Sequence, residues 1–263
     1  MTISARNRII VSGTALVALF AAIFVYSVAT LFRMAPTQVF DFAGETPIAP
    51  LALLLFCELF FCIATLIVLY VSFRKTASAE IFFFMIFVVS ISFDALKMVH
   101  LVIDATSLPP YFGVVVSRCI HFAHFLGPAS LFASGLFATG MRYERLEIVL
   151  ISSLLLSFTL AATIPIDMTL LEPWFVMRLG YAREIRGVTT LLYIFAFTNF
   201  LLAAYQSRNR NLLIIATGLA LAIGGREILF YRTDVISVII AFVLLVFGST
   251  IFGERTHEVY LWS

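Results

Sequence analysis

Long apolar runs separated by short polar breaks dominate the chain. Eight of them, at about 9–32, 49–73, 80–104, 111–139, 146–166, 187–206, 211–230 and 235–253, approach or exceed the ~20 residues that carry a helix across a bilayer core. In lipid an open strand would leave its backbone unpaired, so every run is predicted to be helical. The expectation is an all-α fold: a polytopic membrane helix bundle of eight transmembrane helices in a single integral membrane domain, residues 1–263. The fourth run is too long to stand upright, and is expected to tilt or to extend past the membrane. The seventh carries the weakest signal, because Gly224, Gly225, Arg226 and Glu227 interrupt it. The first follows Arg6 and Arg8 as a signal peptide would, but it continues past 20 residues without a small-residue cleavage site and reads as a retained span.

Polar positions inside these runs are few and periodic. Asp94, Lys97, His100 and Asp104 recur at three- to four-residue steps in the third run, and Arg118, His121 and His124 in the fourth, with Pro109-Pro110 between. At about 100° per residue each set occupies roughly a third of a helix circumference. Ionisable groups in a bilayer cost about 2.5–3.5 kcal/mol each at a helix centre and normally face a bundle interior. Two facing polar stripes therefore predict a buried polar site.

Composition agrees with a membrane chain and removes other classes. Hydrophobic residues make up 62% and charged residues 12%, with a mean hydropathy of +1.07, which excludes a soluble domain. A net charge of +2, with scattered arginines, implies no nucleic-acid partner. Cys57, Cys62 and Cys119 all lie in apolar runs and read as small buried residues. Orientation follows from basic residues in short loops. With the N-terminus in the cytoplasm, Arg6, Arg8, Arg74, Lys75, Arg142, Arg145, Arg208, Arg210 and Arg255 are inside, against Arg33, Arg178, Arg183, Arg186 and Arg232 outside, the latter accompanied by Asp41 and Glu45 among other acids. Both termini are thus expected to be cytoplasmic. The same topology places Glu58, Asp94, Lys97, His100, Arg118, His121, His124, Arg226 and Glu227 at one depth, toward the outer face. The outer segment 167–186, with Trp174, Phe175 and Tyr181 among charges, is expected to lie on the membrane surface as an interfacial loop or a lid.

Glu58-Leu59-Phe60, Phe93-Asp94 with Lys97, Arg118, and Arg226-Glu227-Ile228-Leu229-Phe230 within Ala222–Tyr231 together resemble the bacterial MASE-type membrane-associated sensor domains, closest to the third class. The resemblance covers about 45–255. It departs from the family pattern in having Lys97 in place of a histidine and His121 in place of an acid. Such domains lie ahead of diguanylate cyclase or histidine kinase modules, whereas only Glu254–Ser263 follow the last span here. The resemblance therefore implies a free-standing relative, or the membrane part of something longer, that signals through a partner protein or a homodimer in a bacterial inner membrane.

Three chemistries are open for the predicted site. In the first, Lys97, Arg118 and Arg226 receive an anionic or quinone-like amphiphile or a membrane lipid headgroup, while Glu58, Asp94 and Glu227 position them. Phe93, Tyr111, Phe122 and Phe125 would edge this pocket. In the second, His100, His121 and His124 hold a divalent metal or a haem. The third is an intramembrane enzyme acting on a lipid-like substrate with Asp94 and a histidine as acid and base. No HExxH, GxSxG or phosphate-loop motif accompanies it, so no catalytic residue is assigned. Inverted repeats of the transporter kind are not visible.

Overall fold

The computed structural model describes residues 3–34, 48–73, 78–106 and 108–261. Arg74, Lys75, Asp41 and Glu45, which entered the orientation reading, lie outside them. Each apolar run forms a helix. The elements are α1 (Ile3–Met34), α2 (Ile48–Phe73), α3 (Ala79–Ile91), a 3₁₀ segment (Ser92–Leu96), α4 (Lys97–Ala105), α5 (Pro110–Ala138), a 3₁₀ turn (Tyr143–Arg145), α6 (Leu146–Thr163), strands β1 (Ile166–Leu171) and β2 (Met177–Leu179), α7 (Ala182–Ser207), α8 (Arg210–Tyr231) and α9 (Val235–Leu261). Eight helical stretches among the described residues are long and apolar enough to cross a membrane, α3 to α4 counting as one. That third span and α5 are the centre of the bundle: 78% and 83% of their most apolar windows are buried, against 22% for α1 and α6, which face outward.

The third span is broken where its charges lie. Ser90 and Ser92 donate their hydroxyls to the carbonyls of Phe87 and Val89, three residues back, and such back-bonding competes with the α-helical ladder. The next turn tightens to 3₁₀ from Ser92 to Leu96. In a 3₁₀ turn, residues i and i+3 eclipse instead of being staggered. That places Lys97 directly over Asp94.

Gly225 does not interrupt α8. It lies against α9 so closely that a Cβ there would stand 2.5 Å from the Ala241 carbonyl oxygen and 2.6 Å from the Leu245 nitrogen. Gly218 and Gly248 make the same kind of approach between the two helices, with Ala222 between them. Small residues at such spacing let membrane helices meet backbone to backbone. The glycine pair read as a breaker is, at Gly225, a packing surface. It leaves Arg226, one residue on, facing the third span.

The all-α expectation needs one correction. Segment 166–179 is an antiparallel β-hairpin, with Ile166 opposite Leu179 and Leu171 opposite Met177, closed at its base by Gly180 N–H donating to the Pro165 carbonyl at 2.8 Å. Its tip is a β-turn in which Phe175 N–H donates to Glu172 O, with Pro173 in the position where its fixed φ is favourable. Phe175 then takes a left-handed φ of 60°, a conformation that costs a non-glycine residue roughly 1 kcal/mol or more. The ring is buried, as is Val176, and this burial offsets the strain and pins the tip to the bundle.

Candidate functional site

Asp94 is the hub of the buried charges. It is fully enclosed and accepts from Arg226 Nη1 at 2.7 Å and Nη2 at 3.0 Å, and from Lys97 Nζ at 3.1 Å. Lys97 also donates to the Phe230 carbonyl at 3.1 Å. Both cations lie over the Phe230 ring, at 4.4 Å and 5.1 Å from its centroid, close enough for cation–π attraction. Glu58 on α2 interacts electrostatically with all three charges, yet neither of its buried oxygens has a hydrogen-bond partner. Glu227 is oriented by the Tyr193 hydroxyl on α7. The cluster thus brings together Glu58, Asp94, Lys97 and Arg226, with Glu227 beside it. Both of its cations donate to Asp94.

A second site is built on one face of α5. Gly113, Ser117, His121 and His124 recur at steps of four, four and three residues, so they share a stripe. The hairpin docks there through Met177. Its N–H donates to Ser117 Oγ at 3.1 Å, its carbonyl meets His121 Nε2 at 3.5 Å, and its side chain occupies the space that a Cβ at Gly113 would fill. Ser117 Oγ is also 3.1 Å from His100 Nε2 on α4. A polar chain therefore runs from the hairpin through Ser117 to the third span.

His124 stacks on Phe230 with ring centroids 4.0 Å apart, and its Nε2 lies 3.4 Å from the Tyr231 hydroxyl. Tyr231 in turn meets Trp174 of the hairpin and the Arg186 guanidinium of α7. Between these groups lies a cavity of about 30 Å³ lined by His121, His124, Trp174, Met177, Phe230 and Tyr231 among others. That is room for a water-sized group. The Nδ1 atoms of both histidines are buried without a partner. Since the Met177 carbonyl can only accept, it holds the proton of His121 on Nε2, which makes Nδ1 an acceptor.

Arg118 is not in either site. It donates to the carbonyls of Ala161 and Ala162, both at 2.6 Å, and so caps the last turn of α6. Arg118→Ala is accordingly expected to cost about 1 kcal/mol of stability, read by thermal unfolding, and to leave ligand binding unchanged. Among the pocket aromatics, Phe93 packs on Phe20 and Phe122, and Tyr111 is exposed. Among the described residues no group of three or more His, Cys, Asp or Glu side chains is arranged to hold a metal ion. Ser117, Met177, Tyr193, Arg186 and Tyr231 carry no signal of this kind in the sequence, since four are uncharged and Arg186 lies in the outer segment 167–186, not in an apolar run. The four-residue spacing of Gly113, Ser117 and His121 was the available signal. No protein-family model and no curated protein matches the chain.

Proposed function

We propose that this chain is a ligand-sensing module of a bacterial cytoplasmic membrane, related to the MASE-type sensors, with both termini in the cytoplasm and its output passed to a partner protein or a second copy. Its receiving site is the histidine-lined cavity beneath the hairpin, and the broken third span is the transmitting element. The orientation rests on the excess of arginine on the side of the chain ends. The observation that carries the reading is that the two histidines lining a cavity against the hairpin each have a buried imidazole Nδ1 without a hydrogen-bond partner.

The ligand class follows from those nitrogens. His121 Nδ1 accepts. In the tautomer whose Nε2 accepts from the Tyr231 hydroxyl, His124 offers Nδ1–H as a donor. One hydroxyl group satisfies both, donating to His121 and accepting from His124. Phe230, Tyr231 and Trp174 supply aromatic faces for an attached ring. This is the chemistry of a membrane quinol. An oxidised quinone has only acceptor oxygens and leaves His121 Nδ1 unpaired, at the loss of one hydrogen bond. The hydroxyl fits the closed cavity, whereas the ring requires the hairpin to move outward. Binding is thereby tied to displacement of Met177 from Ser117 and His121, and through Ser117 to His100 and the 3₁₀ turn carrying Asp94.

The test uses Trp174, which becomes the sole tryptophan in a Trp262→Phe background, since the chain has two. Anaerobic titration with a short-chain quinol should change its emission saturably. The matching quinone should bind about tenfold more weakly, the loss expected from one unmade hydrogen bond. His121→Ala should abolish that preference. Failure to saturate, or equal affinity for the two redox forms, would contradict the reading.

A further inference from the structure

The charged cluster sets Glu58, Asp94 and Glu227 against the buried cations Lys97 and Arg226, and the hydrogen bonds show which of the acids stands apart. Asp94 receives three, from Lys97 and from both terminal nitrogens of Arg226. Glu227 receives one, from the Tyr193 hydroxyl, and faces Arg226 as well as Arg186. Glu58 receives none. The residue is 1% exposed, and both of its carboxyl oxygens are enclosed without a donor.

Glu58 belongs to α2, which packs on the 3₁₀ segment of the third span. The charged and titratable groups that face it are Asp94 and Lys97 of that span, Arg226 of α8, and Cys57 and Cys62 of its own helix. The remaining neighbours of α2 bring none at this depth. α9 has no titratable residue from Val235 to Gly253, α3 has only Glu80, fourteen residues before Asp94, and α1 has only the exposed Tyr26 between Ser12 and Phe32.

A carboxylate only accepts hydrogen bonds, so an ionised Glu58 would be a buried charge without a single donor, whereas the neutral acid costs far less to enclose. The charge balance points the same way. Asp94 and Glu227 as carboxylates match Lys97 and Arg226, and an ionised Glu58 would add a third negative charge beside Asp94 in a low-dielectric interior. Arg186 is exposed to solvent and does not enter this balance. We infer that Glu58 is a proton-binding site, whose carboxyl holds one hydrogen enclosed where α2 meets the third span and keeps the cluster neutral while it is in place. Departure of that proton to water leaves a carboxylate facing Asp94, and so repels α2 from the 3₁₀ segment. Loss of Asp94 draws the same proton off Glu58, because the two cations then lack a carboxylate.

Infrared spectroscopy of the full chain at about pH 7, in a detergent free of ester carbonyls, tests this. Solvated Asp and Glu side chains are ionised at that pH, so a carboxylic acid C=O band reports a buried group that keeps its proton. The band should be present, and should move when only the glutamates carry carbon-13. Glu58→Gln should remove it. Glu227→Gln should retain it, and together with the glutamate labelling decides the matter if the Glu58 variant does not fold. A spectrum of the unmodified chain without the band would overturn the inference, as would a band that ignores the glutamate label, survives in a folded Glu58→Gln protein or disappears with Glu227→Gln.

Discussion

Asp94→Ala is expected to be the most damaging single substitution in the chain, leaving little folded protein after extraction from the membrane. Removing one member of a buried ion pair typically costs about 3–5 kcal/mol, because the surviving charge is left without compensation. Here two cations lose their partner together, Lys97 at 1% and Arg226 at 2% exposure. A loss of that size is a large fraction of the ~5–15 kcal/mol that holds a domain folded. Glu58 also interacts electrostatically with both cations and with Asp94. The double variant Asp94→Ala with Glu58→Gln should therefore be worse than the single. Replacing the whole cluster, Asp94→Leu with Lys97→Met and Arg226→Met, should recover much of the stability while abolishing any ligand response, since buried ionic groups are often replaceable by apolar ones of similar size. Thermal unfolding in mild detergent separates these outcomes. An Asp94→Ala protein as stable as the unmodified chain would show that the cluster does not hold the third span to α8.

The second large effect distinguishes two adjacent glycines. Gly225→Ala should cost about 1–3 kcal/mol, the usual range for overpacking, because its methyl would meet backbone atoms of α9 that cannot turn aside. Gly224→Ala meets nothing within 4 Å and should be neutral, or stabilising by up to about 1 kcal/mol through helix propensity. Equal unfolding temperatures for the two variants would contradict the close approach of α8 and α9. Because Arg226 follows Gly225 directly, the larger Gly225→Leu should also loosen the Arg226 to Asp94 contact and resemble the Asp94 variants.

The spans were legible because lipid leaves a twenty-residue apolar run few alternatives to helix. The gathering of Glu58, Asp94, Lys97 and Arg226 was legible for a related reason: charges inside such runs must find one another. Arg118 shows where that logic ends. It also needed partners, but carbonyls at the end of α6 served as well as carboxylates, and a sequence does not distinguish the two. A 100° wheel places Asp94 and Lys97 on one stripe, whereas the 3₁₀ turn from Ser92 to Leu96 makes the two residues eclipse. Within its own run Gly225 reads only as an interruption, although its value lies in the close approach to the neighbouring helix. The hairpin was hidden because its left-handed tip position is held by Phe175, a buried aromatic where glycine is the usual marker. Ser117 carried no charge and hence no signal, yet it links the hairpin to His100.

That link is the centre of the functional account, and hydrogen–deuterium exchange of the protein in lipid nanodiscs tests it most directly. With a short-chain quinol added, exchange should change both in the hairpin, 166–179, and in the third span at 92–105. Ser117→Ala should preserve the hairpin response while silencing the one at 92–105. A hairpin that does not respond to the quinol, or a third span that responds equally with and without the Ser117 hydroxyl, would contradict it.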